Sequence, residues 1–207
     1  NTHSGDSMRS ATLKALAIHT ADEAGPSDGP DYSFGWGLLN TKKAAEVISG
    51  DGSGGHQIKE ASLNNGGTYQ VQITPIIGSG NKIKATLVWT DPPGTPPPPS
   101  VDTPDLMLVN DLDLRIIGSD TTSLPWTLNP ANPATAATKG DNTRDNVEQI
   151  FFEPIKTETY TVQVIHKGTL KNESPQDFSL ILSYQPAQAP YRFPWLMFLP
   201  AIFGNRQ

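Results

Sequence analysis

The chain contains no cysteine in its 207 residues, which excludes a disulfide framework, a thiolate metal site and a cysteine nucleophile. Any metal would have to be held by oxygen or imidazole. Charge is also sparse, at 17% of residues, and it leans acidic, with a formal net charge of -6 and a pI near 5.1. Gripping a phosphate backbone requires a basic face, and no Lys/Arg stripe runs along the sequence, so a nucleic-acid partner is not expected. The apolar C-terminal stretch, residues 191–204 (YRFPWLMFLPAIFG), is too short and too proline-broken to span a bilayer. The chain opens on Asn1 in place of Met and shows no signal peptide, from which we expect that a segment upstream has been removed.

What the sequence does have is turn chemistry, with 18 Gly and 19 Pro, and this favours an all-β body over long helices. Two helices are nevertheless predicted at the start. From Ser7 to Asp22, Leu13, Leu16, Ala17 and Thr20 fall on one face at helical spacing, while Ala11, Ala15 and Ile18 widen the apolar sector. Such a helix is expected to be buried over most of its surface. A second, shorter helix is predicted after Asn40, whose side chain can cap the free amides ahead of Ala44, Ala45, Val47 and Ile48. Two helices of this kind cannot close a core alone, so residues 1–48 are expected to be the least stable part of the chain.

The composition then shifts. Residues 49–55, SGDGSGG, read as a flexible linker and a domain boundary. Beyond it lie short alternating or β-branched runs, HQIKEASL, TYQVQITPI, KIKATLVWT, LDLRII, VEQIFFE, TYTVQVIH and FSLILSY, separated by Gly, Asn, Pro and Asp clusters. About seven or eight strands at this spacing predict a β-sandwich or jelly roll. Two long stretches, DPPGTPPPPSVDTPD and PWTLNPANPATAATKGDNTRDN, carry neither period and are predicted as loops. The chain thus divides into helices over 1–50, a sandwich over 51–186 and an apolar tail over 187–207.

The segment from Leu13 to Ile48, LKALAIHTADEAGPSDGPDYSFGWGLLNTKKAAEVI, resembles the end of the catalytic domain of the subtilisin-like serine proteases. In that family a helix with a KALL-type run leads through an N-T-A-like turn to a G-x-G-L-(L/I)-N stretch that opens the final helix, and Gly35, Trp36, Gly37, Leu38, Leu39 and Asn40 match that stretch. On the residues themselves, Gly35 and Gly37 permit backbone conformations that a side chain forbids, and Leu38 and Leu39 are expected to enter the core before Asn40 starts the helix. The stretches ATLVWTDPP, LVNDLDLR, DNVEQIF, TYTVQV and PQDFSLIL resemble the C-terminal jelly-roll domain of the oxidatively stable alkaline protease branch. The resemblance implies a mainly β chain, a jelly roll preceded by two helices left over from an α/β catalytic domain.

The family's catalytic apparatus is not expected in this chain. An Asp, a His and a Ser in a G-T-S-M-A-x-P context are required, with an Asn for the oxyanion. Gly5-Asp6-Ser7-Met8 imitates the serine context, and His3 stands beside it, but Ser7 lies too close to the His19-Thr20-Ala21 turn, and three triad members within five residues could hardly adopt triad geometry. Ser7 reads as a helix N-cap or loop residue, and His19, His56 and His166 as surface or satisfied core histidines.

The plausible site is acidic. Strand alternation in Asn110-Asp111-Leu112-Asp113-Leu114 sends the leucines inward and both carboxylates outward, an arrangement suited to a hard cation. With Asp145 and Asn146 of the second long stretch, and with Asp141, Asn142 and Glu148 nearby, these residues could supply a structural Ca²⁺ site. Ion-free Asx-type hydrogen bonds to loop amides are the competing reading of the same residues.

The expected function is that of a C-terminal fragment of a secreted serine endopeptidase. Its sandwich would stabilise or assist the catalytic domain of the same polypeptide, and its wider partners would be the protein substrates of the parent enzyme. The alternative is an extracellular binding or adhesion module holding carbohydrate or another surface polymer through Trp89, Trp126, Tyr160 or Tyr184.

Overall fold

The computed structural model describes residues 7–184 apart from 54, 79, 100 and 102–104. His3, Asp6 and the tail from residue 187 lie outside the described residues. Two helices come first, α1 (Ser10–Thr20) and α2 (Thr41–Ser49). Ten strands follow: β1 (His56–Leu63), β2 (Tyr69–Ile73), β3 (Ile83–Trp89), β4 (Leu112–Ile117), β5 (Thr122–Ser123), β6 (Trp126–Thr127), β7 (Thr138–Lys139), β8 (Val147–Phe152), β9 (Tyr160–His166) and β10 (Gln176–Ser183).

The strands form two four-stranded antiparallel sheets, ordered β1-β10-β3-β8 and β2-β9-β4-β5, with β6 and β7 as a separate hairpin. Leaving that hairpin aside, eight strands run in the orders 1-8-3-6 and 2-7-4-5, which is the double Greek key of a jelly roll. The fold expected from the alternating runs is therefore the fold observed.

Between the sheets sits the main core, including Leu87, Trp89, Leu112, Leu114, Ile116, Tyr160, Val162, Phe178 and Leu180, all essentially solvent-free. Tyr69 meets Phe178 edge-on with ring centroids 5.2 Å apart, and Phe152 meets Tyr160 likewise at 5.8 Å. The Trp89 indole N–H donates to the Asn110 carbonyl at 3.0 Å, so the largest core side chain leaves no unpaired donor. Burial of Trp89 and Tyr160 removes both from the aromatic platform considered for a polymer-binding surface.

A second apolar cluster lies on the outer face of the β1-β10-β3-β8 sheet, where Ala11, Ala15 and Leu16 of α1 and Val47 of α2 meet Ile58, Val88, Val147 and Ile181. Covered on both faces, β3 and β10 are buried almost continuously, unlike a half-buried strand, which alternates. The face that α1 buries is Ala11, Thr12, Ala15, Leu16, His19 and Thr20, whereas Leu13, expected inside, is 57% exposed. The reason is the surface it packs on, which carries Thr86, Ser179 and Ser183 and so accepts the polar side of the helix.

Among the described residues no side chain caps α1. Its first residues are held instead by Arg9, whose backbone N–H donates to Glu60 Oε1 at 2.8 Å and whose guanidinium donates to the Ala61 and Phe178 carbonyls at 2.8 and 3.2 Å. α2 starts as expected, with Asn40 Oδ1 accepting from the Lys43 amide at 2.9 Å. The glycine-rich stretch between α2 and β1 forms a hydrogen-bonded turn: Gly50 N–H donates to Glu46 O, Gly52 N–H to His56 O and Ile58 N–H to Asp51 Oδ1.

Candidate functional site

Three carboxylates and two cations converge outside β4. Leu112, Leu114 and Ile116 point into the core, so Asp113 and Arg115 share the opposite face. Pairing of Leu112 with His166 places Lys167, one residue past β9, opposite Asp111, and the Lys167 backbone N–H donates to Asp111 O at 2.9 Å. The Lys167 ammonium then lies 3.2 Å from Asp111 Oδ2, 3.0 Å from Asp113 Oδ1 and 2.7 Å from Asp141 Oδ1. Arg115 Nη2 completes the cluster at 2.9 Å from both Asp113 and Asp141.

The electrostatics follow burial. Loss of solvent pushes the Asp113 carboxyl above the usual range, against the hydrogen bond from Lys167. Asp141, at the mouth, is pulled down to about 2, chiefly by its hydrogen bond with Lys167. Burial works against the Lys167 charge, but the bonds to Asp141, Asp113 and Asp111 outweigh it and raise its pKa. Behind the cluster, Glu148 of β8 reaches across the sandwich and accepts the Leu114 amide N–H, on the part of β4 that β5 does not pair. Its other oxygen, Oε1, and Asp111 Oδ1 are the buried side-chain polar atoms without a partner among the described residues. Desolvation raises Glu148 well above its ordinary value.

Of the five residues expected at a calcium site, the structure brings Asp111 and Asp113 together and sends the other three elsewhere. Asn110 is buried and used on every side: it donates to Gln176 Oε1 at 2.7 Å, accepts from the Lys171 amide at 2.8 Å, and donates its own backbone N–H to Asp91 at 2.8 Å. Asp145 accepts from Asn142 at 3.3 Å. Asn146 donates to the Trp89 carbonyl at 2.6 Å and accepts from Lys14 at 2.9 Å, next to α1. At the point where Asp111, Asp113 and Asp141 converge, an ammonium stands in place of open oxygens. Lys167 and Arg115 were missed in the sequence. Arg115 could have been found from its two-residue spacing from Asp113, whereas Lys167 depends on a long-range register that no local pattern shows.

The α1 seam is polar as well as apolar. His19 Nδ1 lies 2.9 Å from Thr86 Oγ1 and its Nε2 2.8 Å from Ser183 Oγ, and the same hydroxyl lies 2.8 Å from His56 Nδ1. Burial, then the charges of Lys84 and His56, hold His19 well below the ordinary histidine value. Of the two readings expected of the histidines, surface or satisfied core, His19 takes the second, and His166 Nε2 accepts the Gly66 amide at 2.6 Å.

The other side of the helical layer is open. Gly37 has φ 101°, and a Cβ there would lie 2.1 Å from the Asp22 carbonyl oxygen, so only glycine lets Leu38 bridge to Asp22. That bridge does not lead the leucines inward. Leu38 and Leu39, expected in the core, are 67% and 60% exposed, and Phe34, Leu13 and Ile48 are exposed with them. The helical layer thus packs Ala11, Ala15, Leu16 and Val47 on the sheet and leaves these larger apolar side chains in solvent.

No protein-family model matches the chain. It is 34% identical over 116 residues to the Dictyostelium discoideum serine protease/ABC transporter B family protein tagB, a match covering 55% of this chain and 6% of that protein. Against the tagD protein of the same name and organism it is 32% identical over 136 residues, covering 59% of this chain and 7% of the relative. The chain therefore corresponds to a small part of these curated relatives, and the similarity gives it a link to serine-protease-related proteins.

Proposed function

We propose that the chain is the C-terminal accessory part of a secreted subtilisin-like serine endopeptidase, and that its helical layer is the seam between the jelly roll and the catalytic part of the same polypeptide. The observation that carries this is the two-sided helical layer. Its inner face is packed on the β1-β10-β3-β8 sheet, while Leu13, Phe34, Leu38, Leu39 and Ile48 face solvent. Leu38 and Leu39 stand in the GWGLLN stretch, where the residues themselves were expected to enter a core. Serine-protease wording in the names of two relatives, each far longer than the matched region, supports the same reading. The jelly roll would then add stability or shape substrate access, with acyl transfer done upstream.

The test uses the full parent polypeptide. It should cleave casein, whereas residues 1–207 alone should not. Leu38→Ser with Leu39→Ser should lower the temperature at which the full polypeptide loses activity, yet leave the melting of the 207-residue chain unchanged. A full polypeptide without peptidase activity would overturn the protease reading. Identical heat inactivation of variant and parent would overturn the seam.

A further inference from the structure

One line of residues crosses all four strands of the β1-β10-β3-β8 sheet. His56 pairs with Ser183, Ser183 with Lys84, and Lys84 with Phe151. Directly paired residues present their side chains on the same face, so an imidazole, a hydroxyl, an ammonium and a ring stand side by side. Beyond the end of α1 this row floors a pocket of about 410 Å³, walled by Gly80, Asn81, Lys82 and Tyr184. The Lys82 and Lys84 ammoniums lie 4.6 and 5.5 Å from the centroid of the Phe151 ring.

Among the described residues no carboxylate lines this pocket, although the chain as a whole carries a net charge of -6. Neither lysine forms an ion pair among the described residues. The acids beside it are engaged: Glu153, at the rim, accepts the amide N–H of the wall residue Gly80 at 3.2 Å, Asp22 is held by Lys43 and Asn40, and Glu23 by the amides of Ala24, Gly25 and Gly29. Two unpaired ammoniums on one ring repel each other, and a bound anion would relieve that repulsion.

We infer that this row, with Lys82, forms a binding pocket for a tetrahedral oxyanion carried on a small organic group, a phosphate or sulfate monoester. Two ammoniums without a guanidinium fork suit a polyanionic headgroup approached from several directions more than a single planar carboxylate. Tyr184 accepts from Gln57 at 3.2 Å and keeps its own O–H to donate. The pocket volume is in the range of small-molecule sites and leaves space beside the ring for a carrier group. Lys84 is held down at about 8, first by burial and then by Lys43 of α2, with Glu23 and Asp22 opposing. His19 of α1 and His56 of β1 face it across Ser183. An anion bound there should draw a proton onto Lys84.

The experiment is calorimetric titration of the 207-residue chain with inorganic phosphate, inorganic sulfate and acetate in chloride of matched ionic strength, then with phosphoserine and tyrosine sulfate. Phosphate or sulfate should bind more tightly than acetate, with proton uptake above neutral pH, and one of the two esters should bind more tightly than its inorganic ion. Lys84→Met should weaken binding roughly tenfold without lowering the melting midpoint in chloride, and Lys82→Met gives an independent check should the first variant misfold. Binding no tighter than that of acetate, or both variants binding like the parent, would overturn the site whether or not the chain serves a protease.

Discussion

Glu148 is the residue whose chemistry is least at ease. It is fully buried in the sandwich, accepts one amide N–H and leaves Oε1 without a partner. A carboxyl whose folded pKa is raised stabilises the fold fully below its unfolded value near 4.5, and that contribution is lost as pH rises through the folded value. Glu148→Gln keeps the acceptor for Leu114 and removes the charge. We expect its stability relative to the parent to increase with pH, by at most about 1.4 kcal/mol per unit between about pH 5 and pH 8. Denaturant melts across that range measure it, and parallel curves would rule out a buried titration. Lys167 tests the neighbouring cluster. Lys167→Ala leaves Asp113, with 2% of its side chain exposed, facing Asp111 and Asp141 with only Arg115 to balance them. We expect a loss of about 1–3 kcal/mol and a gap in which three carboxylates can take a hard cation. Added Ca²⁺ should then raise the melting midpoint of the variant, and a chelator should lower it again, while the parent stays indifferent to both. A chelator-sensitive melt in the parent would show that calcium takes the place of the ammonium in the native chain. The acidic half of this cluster was legible because alternation alone sends Asp111 and Asp113 to one side. The basic half was not, because Lys167 arrives from a strand more than fifty residues further along.

At the scale of elements, α1 behaves as part of the jelly roll on one face and as an outer surface on the other. Leu16 is 3% exposed and Leu13 57%. Leu16→Ala should therefore cost about 2–5 kcal/mol, whereas Leu13→Ala in the 207-residue chain should fall within about 0.5 kcal/mol of the parent. Amides of Ala15 and Leu16 should exchange about as slowly as those of β3 and β10, which revises the expectation that the whole helical segment is the least stable part. α2, which buries only Val47, should exchange faster. The seven longer strands were legible because their alternation or β-branched runs exceed the length at which a period can be seen. β5, β6 and β7 have two residues each, and two residues carry no period. The burial face of α1 was misread for a different reason. Hydrophobic periodicity assumes a wholly apolar partner, and here the sheet face carries Thr86, Ser179 and Ser183 beside its apolar residues, against which Thr12 and His19 are the better match.

For the molecule as a whole, the jelly roll was legible and the handling of the exposed helical face was not, since a sequence does not say which apolar residues find their partners elsewhere. The order of strands also carries a timetable. β1 lies at the edge of its sheet and pairs with β10 alone, so His56 waits for Ser183, which lies 127 residues further on. α1 packs on β3 and β10 and waits with it. At ordinary rates of synthesis that interval is about ten seconds. Whatever precedes α1 in a longer polypeptide emerges from the ribosome and begins to fold before the jelly roll can close, with the helical segment still unclaimed by the sheet. A nascent chain stalled before residue 176 should thus offer both faces of α1 at once, and the upstream part has the first chance to bind it.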